Sequence, residues 1–104
     1  MSTRKSGKTV HLHAVVRGFV QGVGFRLKAK ELADQLGLSG CVRNTSARAL
    51  DVHAEGPRQK LEIMLGWLHI GPPVAYVTSV KASWSPARGP AKGFAIVGGR
   101  TTTR

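Results

Sequence analysis

Three glycines and an arginine lie close together in residues 18–26, and this pattern suits the binding of a phosphate or another anion. The segment reads Gly18-Phe19-Val20-Gln21-Gly22-Val23-Gly24-Phe25-Arg26. Glycine lets the backbone adopt positive φ, so consecutive N–H groups can approach a ligand closely. A helix after such a loop adds the positive end of its dipole, and Arg26 adds a planar fork of donors for two phosphate oxygens. The segment therefore predicts an anion-binding pocket.

The flanking residues place this loop between a strand and a helix. Apolar residues alternate with other residues over 10–17, which is typical of a strand with one buried face. Positions 29, 32, 33 and 36 are apolar and share one face of a helix, which Gly37 is placed to end. The glycine spacing matches neither the ATP-binding loop that ends in Gly-Lys-Ser/Thr nor the Gly-x-Gly-x-x-Gly fingerprint, so nucleotide binding is not predicted.

The remaining elements predict an α+β domain. Over the whole chain, the order of elements is β-α-β-β-α-β with a small extra edge strand, which favours an antiparallel sheet with two helices on one face. The second helix is expected to start at Gly56-Pro57, with the proline at its first helical position, and to end at Gly71-Pro72-Pro73. The later strands are predicted at 38–44, 50–55, 74–85 and 94–97.

This topology predicts that two separated parts of the chain share one edge of the sheet. The first two strands run parallel because a helix crosses between them, and the third strand inserts antiparallel as their neighbour. The glycine loop leaves the end of the first strand, and Asn44 ends the second. One intervening strand separates their backbones by about 9.6 Å. The side chains of Arg26 and Asn44 can bridge that distance around a bound phosphate.

Two motifs together resemble the acylphosphatase family of small hydrolases. They are the segment from Gly18 to Arg26 and Gly40-Cys41-Val42-Arg43-Asn44, and the similarity continues to residues 93–97. The resemblance implies a ferredoxin-like sandwich and hydrolysis of a small acyl phosphate to a carboxylate and inorganic phosphate, without a metal or another cofactor. It implies that Arg26 binds the phosphate and that Asn44 orients the attacking water. It also implies that the loop binds the phosphate through Phe19, Val20, Gln21, Gly22, Val23 and Gly24.

Length and composition are those of one small domain. The chain has 104 residues, of which 41% are hydrophobic, and we predict a domain over 9–97 between flexible tails at 1–8 and 98–104. No apolar run approaches the ~20 residues that span a bilayer, and the polar start lacks a signal-peptide apolar region. A single cysteine, Cys41, agrees with a reducing compartment. The sequence therefore predicts a cytoplasmic monomer with no membrane association.

The charge is strongly positive and leaves a second function open. Sixteen Lys and Arg against five Asp and Glu give a formal charge of +11. Such a chain attracts polyanions. We interpret the charge as a solvated surface with basic tails and predict no specific nucleic-acid partner. The alternatives are a non-catalytic anion- or RNA-binding module on the same fold, or a phosphate-sensing or carbamoyl-phosphate-handling module like those that begin larger maturation enzymes. The expected stacking aromatics of an RNA-binding sheet are missing.

Three histidines raise the question of a metal site. His11 and His13 share a strand face and can meet His53 on a neighbouring strand. Two histidines spaced two apart on a wet sheet face lack the local cysteine or carboxylate pattern of a dedicated site. The sequence therefore predicts no metal site, and Cys41, which has no acid–base partner, is predicted to have no catalytic role.

Overall fold

Five strands and two helices form the part of the chain that a computed structural model describes, residues 9–89 and 92–98. The predicted basic tail at 1–8 lies outside the described residues, as does the C-terminal tail beyond Gly98. The predicted order, β-α-β-β-α-β with an extra strand, is confirmed. The elements are β1 (Thr9–Phe19), α1 (Phe25–Leu36), β2 (Ser39–Asn44), β3 (Ala49–Pro57), α2 (Arg58–Leu68), β4 (Tyr76–Pro86) and β5 (Phe94–Val97).

The strands form one sheet in the order β4-β1-β3-β2-β5. Strand β3 lies antiparallel between β1 and β2, so β1 and β2 run parallel, as the crossover helix between them predicts. The predicted α+β fold class is confirmed, with one difference at the edge. Strand β5 pairs with β2 in parallel, so the sheet is mixed rather than wholly antiparallel. Strand β4 is antiparallel to β1 and ends beside the amino end of β1. Strand β5 begins at this same end of the sheet, where β2 also begins, so it runs in the same direction as β2.

The two helices cover one face of the sheet and enclose the core. Helix α1 buries Phe25, Ala29 and Ala33, and the predicted leucines Leu32 and Leu36 pack at the margin of the core. Gly37 ends this helix in the left-handed conformation with φ 71°, as predicted. Helix α2 buries the predicted stripe residues Leu61, Met64 and Leu68. The sheet contributes alternate residues of its central strands, which are Leu12, Ala14, Val16, Val42, Leu50, Val52 and Ala54.

Two predicted boundaries differ from the structure. Pro57 is not the first residue of α2 but its N-cap, with extended φ −61° and ψ 139°, because it is still paired with Thr9 as the last residue of β3. Strand β4 begins at Tyr76 rather than at residue 74, because the backbone N–H of Ala75 donates to the carbonyl of Pro72 and closes a turn there. Neither described helix has the length and hydropathy needed to cross a membrane.

Candidate active site

The carboxyl ends of β1 and β2 and the amino end of α1 surround a cavity of about 160 Å³. Arg26 and Asn44 both line it, although they come from different elements. The parallel arrangement of β1 and β2 brings their carboxyl ends to one edge of the sheet, as the topology predicts. The described residues that line it are Val20, Gly22, Gly24, Phe25, Arg26, Leu27, Asn44 and Ile96.

The start of α1 has backbone donors available at the cavity. Gly24 is the N-cap in the left-handed conformation, with φ 78°, and no side chain caps the helix. The first turn contains no acidic residue. The first N–H groups of a helix have no partner within the helix, and they form the positive end of its dipole. Because Phe25, Arg26 and Leu27 line the cavity, this end of α1 can receive an anion.

Gly18 has a different role from the one predicted for the loop glycines. It lies at an irregularity in the pairing of β1 with β4, with φ 131°. A Cβ atom at this position would lie 2.1 Å from the carbonyl oxygen of Tyr76. Gly18 therefore permits close approach of two strand backbones, whereas Gly22 and Gly24 line the cavity itself.

The six loop residues predicted to bind phosphate divide into two groups. Val20, Gly22 and Gly24 line the cavity, and the side chains of the other three lie elsewhere. Gln21 donates from Nε2 to the carbonyls of Thr45 (2.9 Å) and Ala49 (3.1 Å), and so connects the glycine loop to the turn that follows Asn44. Val23 packs at the margin of the core. Phe19 pairs with Tyr76 across the strands and is 63% exposed.

The cavity is electrostatically suited to an anion. No carboxylate lines it. Among residues 9–89 and 92–98, Arg26 forms no ion pair with an acidic side chain. An arginine is always charged in a protein and cannot act as an acid or base. Arg26 therefore offers a half-buried, permanent positive charge with free donors.

Asn44 has a buried acceptor without a partner. Its Oδ1 atom is buried and accepts no hydrogen bond from the described residues. The backbone around it is fixed, because Asn44 is paired with Leu50 at the end of β2. The next residue, Thr45, accepts at Oγ1 from the N–H groups of Ala47 and Ala49, at 3.2 Å each. This geometry is that of a turn residue.

Sequence reasoning missed three apolar residues of the cavity, Phe25, Leu27 and Ile96. Leu27 follows Arg26 in the first turn of α1, and Ile96 comes from β5. The sequence predicts the edge strand, but the residues of that strand do not indicate which strand it pairs with. Only the parallel pairing with β2 places Ile96 near Asn44.

A larger cavity, of about 510 Å³, lies at the opposite end of the sheet. Its lining includes Thr9 at the start of β1, Ser39 at the start of β2 and Pro57 at the end of β3. None of the residues predicted to bind or react with phosphate lines it, and we do not consider it the active site.

The histidines lie on the face of the sheet that the helices leave open. They form a group with two carboxylates, which we call the open-face cluster: His11, His13, Asp51, His53 and Glu55. Two carboxylates therefore lie beside the histidines, and the absence of a metal site stays a prediction. Cys41 lies opposite His53 in the register and is half-buried. Burial, followed by the charge of Asp51, raises the pKa of its thiol, which disfavours a nucleophilic role.

Comparison with known proteins identifies the family. The acylphosphatase family model matches residues 12–96. An acylphosphatase of Thermococcus kodakarensis is 41% identical over 91 residues, which are 88% of this chain and 99% of the relative. The chain belongs to the acylphosphatase family. An acylphosphatase of Nocardia farcinica is 44% identical over 89 residues, which cover 86% of this chain and 89% of the relative.

A solved acylphosphatase structure shares the fold. The crystal structure of the acylphosphatase from Bacillus subtilis superposes with a TM-score of 0.82 at 32% identity, covering 85% of this chain and 98% of that one. The predicted family, the ferredoxin-like fold and the enzyme class, a hydrolase of acyl phosphates, are therefore confirmed. The individual residue roles stay predictions.

Proposed function

We propose that the cavity at the start of α1 hydrolyses the carboxyl–phosphate bond of a small acyl phosphate. Arg26 and the backbone of residues 19–24 bind the phosphoryl group, and Asn44 orients the attacking water. The observation that supports this most directly is that Arg26 and Asn44 line one cavity with the uncapped start of α1. An anion bound by Arg26 is then within reach of the amide of Asn44.

Three features support binding of the phosphoryl group by Arg26 and the loop. The guanidinium has no competing carboxylate among the described residues, so its fork is available to two phosphate oxygens. The open N–H groups of α1 and the glycine loop supply further donors. Charge-assisted hydrogen bonds are about twice as strong as neutral ones. A doubly charged phosphoryl group would therefore bind far better than a neutral ester.

The unpaired acceptor of Asn44 supports a role in orienting water. A buried polar atom without a partner costs about 1–3 kcal/mol, and a water molecule that donates to Oδ1 removes this cost. The strand pairing of Asn44 fixes the direction of its side chain. Gln21 holds the glycine loop to the turn after Asn44, so the phosphate-binding loop and the water-binding residue keep their relative position. Positioning of this kind raises the rate without an acid–base group.

The chemistry requires little from the side chains. The water oxygen attacks phosphorus, and the bond from phosphorus to the acyl oxygen breaks, with the electron pair leaving on the carboxylate. The proton of the water is accepted by the phosphate itself. Because a carboxylate is a good leaving group, stabilisation of phosphoryl charge and in-line orientation suffice. This agrees with a cavity whose lining contains neither a carboxylate nor a histidine.

The mouth of the cavity supports a small substrate. Leu27 is 54% exposed and Ile96 is 37% exposed, so both can contact the acyl group beside the bound phosphate. We also propose that the enzyme acts as a cytoplasmic monomer without a specific nucleic-acid partner. The single unpaired cysteine is consistent with this compartment.

Phosphate release tests the proposed reaction. The protein is incubated with benzoyl phosphate, and inorganic phosphate is measured, with phenyl phosphate as a matched monoester. We expect turnover of benzoyl phosphate alone. Equal turnover of both compounds would contradict the proposal, since the site has no general acid for a poor alkoxide or phenoxide leaving group. Absence of turnover with tight phosphate binding would favour the non-catalytic anion-binding module.

A further inference from the structure

The open-face cluster lies away from the phosphate cavity and has no role in the proposed hydrolysis. Strand pairing places its members side by side, with His13 opposite His53 and His11 opposite Glu55. Asp51 precedes His53 by two residues on β3 and so projects to the same face. All three histidines of the sheet are in this group, and the fourth histidine, His69, lies at the end of α2. The cluster is therefore separate from the residues that line the cavity.

Three side chains of the cluster converge within metal-binding distance. One potential ligand atom from each of His13, Asp51 and His53 lies within 4.8 Å of the other two. Nε2 of His13 is 2.5 Å from Oδ1 of Asp51, and Nε2 of His53 is 3.7 Å from Oδ2. In a tetrahedral zinc site with bonds of about 2.1 Å, neighbouring ligand atoms are about 3.4 Å apart. Separation of His13 from Asp51 by about 1 Å, with rotation of the His13 ring out of its parallel stack on His53, would give three of the four ligand positions of this geometry.

Hydrogen bonds through His11 and Glu55 orient the ring of His53 for metal coordination. Oε2 of Glu55 accepts from the backbone N–H of Arg88 at 2.7 Å and from Nδ1 of His11 at 2.7 Å. These hydrogen bonds keep the pKa of Glu55 below its usual range, with the Arg88 contact contributing most. His11, whose Nδ1 donates to Glu55, accepts at Nε2 from Nδ1–H of His53, at 2.9 Å. The lone pair of His53 is therefore on Nε2, the atom nearest Asp51.

This arrangement matches the outer shell of known metal sites. A metal-binding histidine usually donates its second N–H to another group, which fixes the tautomer and the orientation of the ring. Here His53 donates to His11, and His11 donates to Glu55. Both His11 and Glu55 are at least nine-tenths buried, with exposed fractions of 6% and 8%. A simple surface ion pair does not require a second, buried layer of this kind.

The local charge also favours a cation. With neutral histidines, Asp51 and Glu55 carry two negative charges, and the guanidinium of Arg43 lies 3.2 Å from Oδ2 of Asp51. The arginine is 50% exposed and can move into solvent when an ion binds. The cluster is thus a locally anionic spot on a chain with a formal charge of +11.

We propose that His13, His53 and Asp51 bind one divalent transition-metal ion of the zinc class on the open face of the sheet. Two imidazoles and one carboxylate suit zinc, cobalt, nickel or copper rather than magnesium or calcium, which prefer oxygen ligands. His11 and Glu55 are positioning residues that act through His53. Because the ligands come from both β1 and β3, the ion joins the two central strands and stabilises their pairing.

Zinc titration of the full-length, tag-free protein tests this proposal. After treatment with a chelator, binding of Zn²⁺ is measured by isothermal titration calorimetry, and thermal unfolding is followed with and without the ion. We expect one bound ion for each chain and a higher unfolding temperature with Zn²⁺. Co²⁺ should give visible absorption bands of a nitrogen- and oxygen-ligated site. Failure to bind, or equal stabilisation by Mg²⁺, would overturn the proposal.

Matched variants assign the ligands. His13 is 37% exposed, so His13→Gln should fold, and circular dichroism verifies this. We expect its affinity for Zn²⁺ to fall by more than about 100-fold, and Glu55→Gln to lower affinity by about 10–100-fold through loss of the outer shell. His69→Gln and Cys41→Ser should bind as the parent does. Parent-like binding by His13→Gln, or loss of binding in His69→Gln or Cys41→Ser, would contradict the assignment.

Discussion

The cavity at the start of α1, which we propose binds phosphate, and the open-face cluster are two polar sites on one small sheet. They are suited to ions of opposite charge. The cavity lies at the sheet edge and is formed by backbone groups, one arginine and one asparagine, none of which changes charge near neutral pH. The cluster lies across the middle of the sheet and consists only of histidines and carboxylates. The first is suited to an anion and the second to a cation.

The two sites depend on different features of the fold. The cavity depends on main-chain geometry at strand and helix ends, where donors are left without partners. The cluster depends on cross-strand register, which places His13 beside His53. Changes to the cavity should therefore affect turnover, whereas changes to the cluster should affect metal binding. The predictions below test this separation.

The largest effect is expected from Arg26→Ala. Loss of the Arg26 guanidinium from the cavity removes substrate binding and charge stabilisation together, so kcat/KM for benzoyl phosphate should fall by about 1,000-fold or more. Arg26→Lys should recover part of this loss, because it keeps the charge without the fork. Steady-state phosphate release measures both.

Arg58→Ala is the matched control for Arg26→Ala. Arg58 also lies in the first turn of a helix, but it pairs with Glu62 and lies at the opposite end of the sheet. Its removal should leave kcat/KM within about twofold of the parent, since surface ion pairs contribute little. A loss comparable to that of Arg26→Ala would indicate a general effect of charge rather than a phosphate contact.

Asn44→Ala should have the next largest effect. Without the amide, water is no longer aimed at phosphorus, and kcat should fall by about 100-fold while binding of substrate changes little. The side chain has no hydrogen-bond partner at Oδ1 in the described residues, so folding should not suffer. Hydrolysis at the parent rate would show that another group orients the water.

Gly18→Ala should reduce stability more than Gly22→Ala. At residue 18 a methyl group would collide with the Tyr76 carbonyl at 2.1 Å, and φ is also unfavourable at 131°. At residue 22 nothing lies within 4 Å, so only the left-handed conformation is penalised, by about 1–2 kcal/mol. Urea denaturation should give a lower free energy of unfolding for Gly18→Ala. Equal losses would mean that close approach of β1 and β4 is not the reason for this glycine.

The smallest effect is expected from pH. Among residues 9–89 and 92–98, no histidine, cysteine, lysine or carboxylate lines the cavity, so kcat should vary by less than about twofold between pH 6 and pH 8. The histidines of the open-face cluster lie outside the cavity. A bell-shaped dependence of kcat on pH over this interval would indicate that groups outside the cavity affect turnover. It would contradict the functional independence of the two sites.

The sequence predicted the phosphate cavity better than the cluster, for a physical reason. Arg26 and Asn44 follow recognisable loop and strand patterns, and the parallel crossover requires their strand ends to meet. The role of Gln21 and the position of Ile96 depend on contacts between distant segments, which no local pattern encodes. The cluster depends on a register that pairs His13 with His53, and a shift of one residue would have moved these side chains to opposite faces.

Competitive inhibition by inorganic phosphate tests the division of roles between Arg26 and Asn44 most directly. The inhibition constant is measured for the parent, for Arg58→Ala and for Asn44→Ala, with direct phosphate binding by calorimetry for Arg26→Ala. We predict that Asn44→Ala binds phosphate within about threefold of the parent despite its low kcat, and that Arg26→Ala loses phosphate binding. Parent-like phosphate affinity in Arg26→Ala would contradict the assignment of the phosphate site.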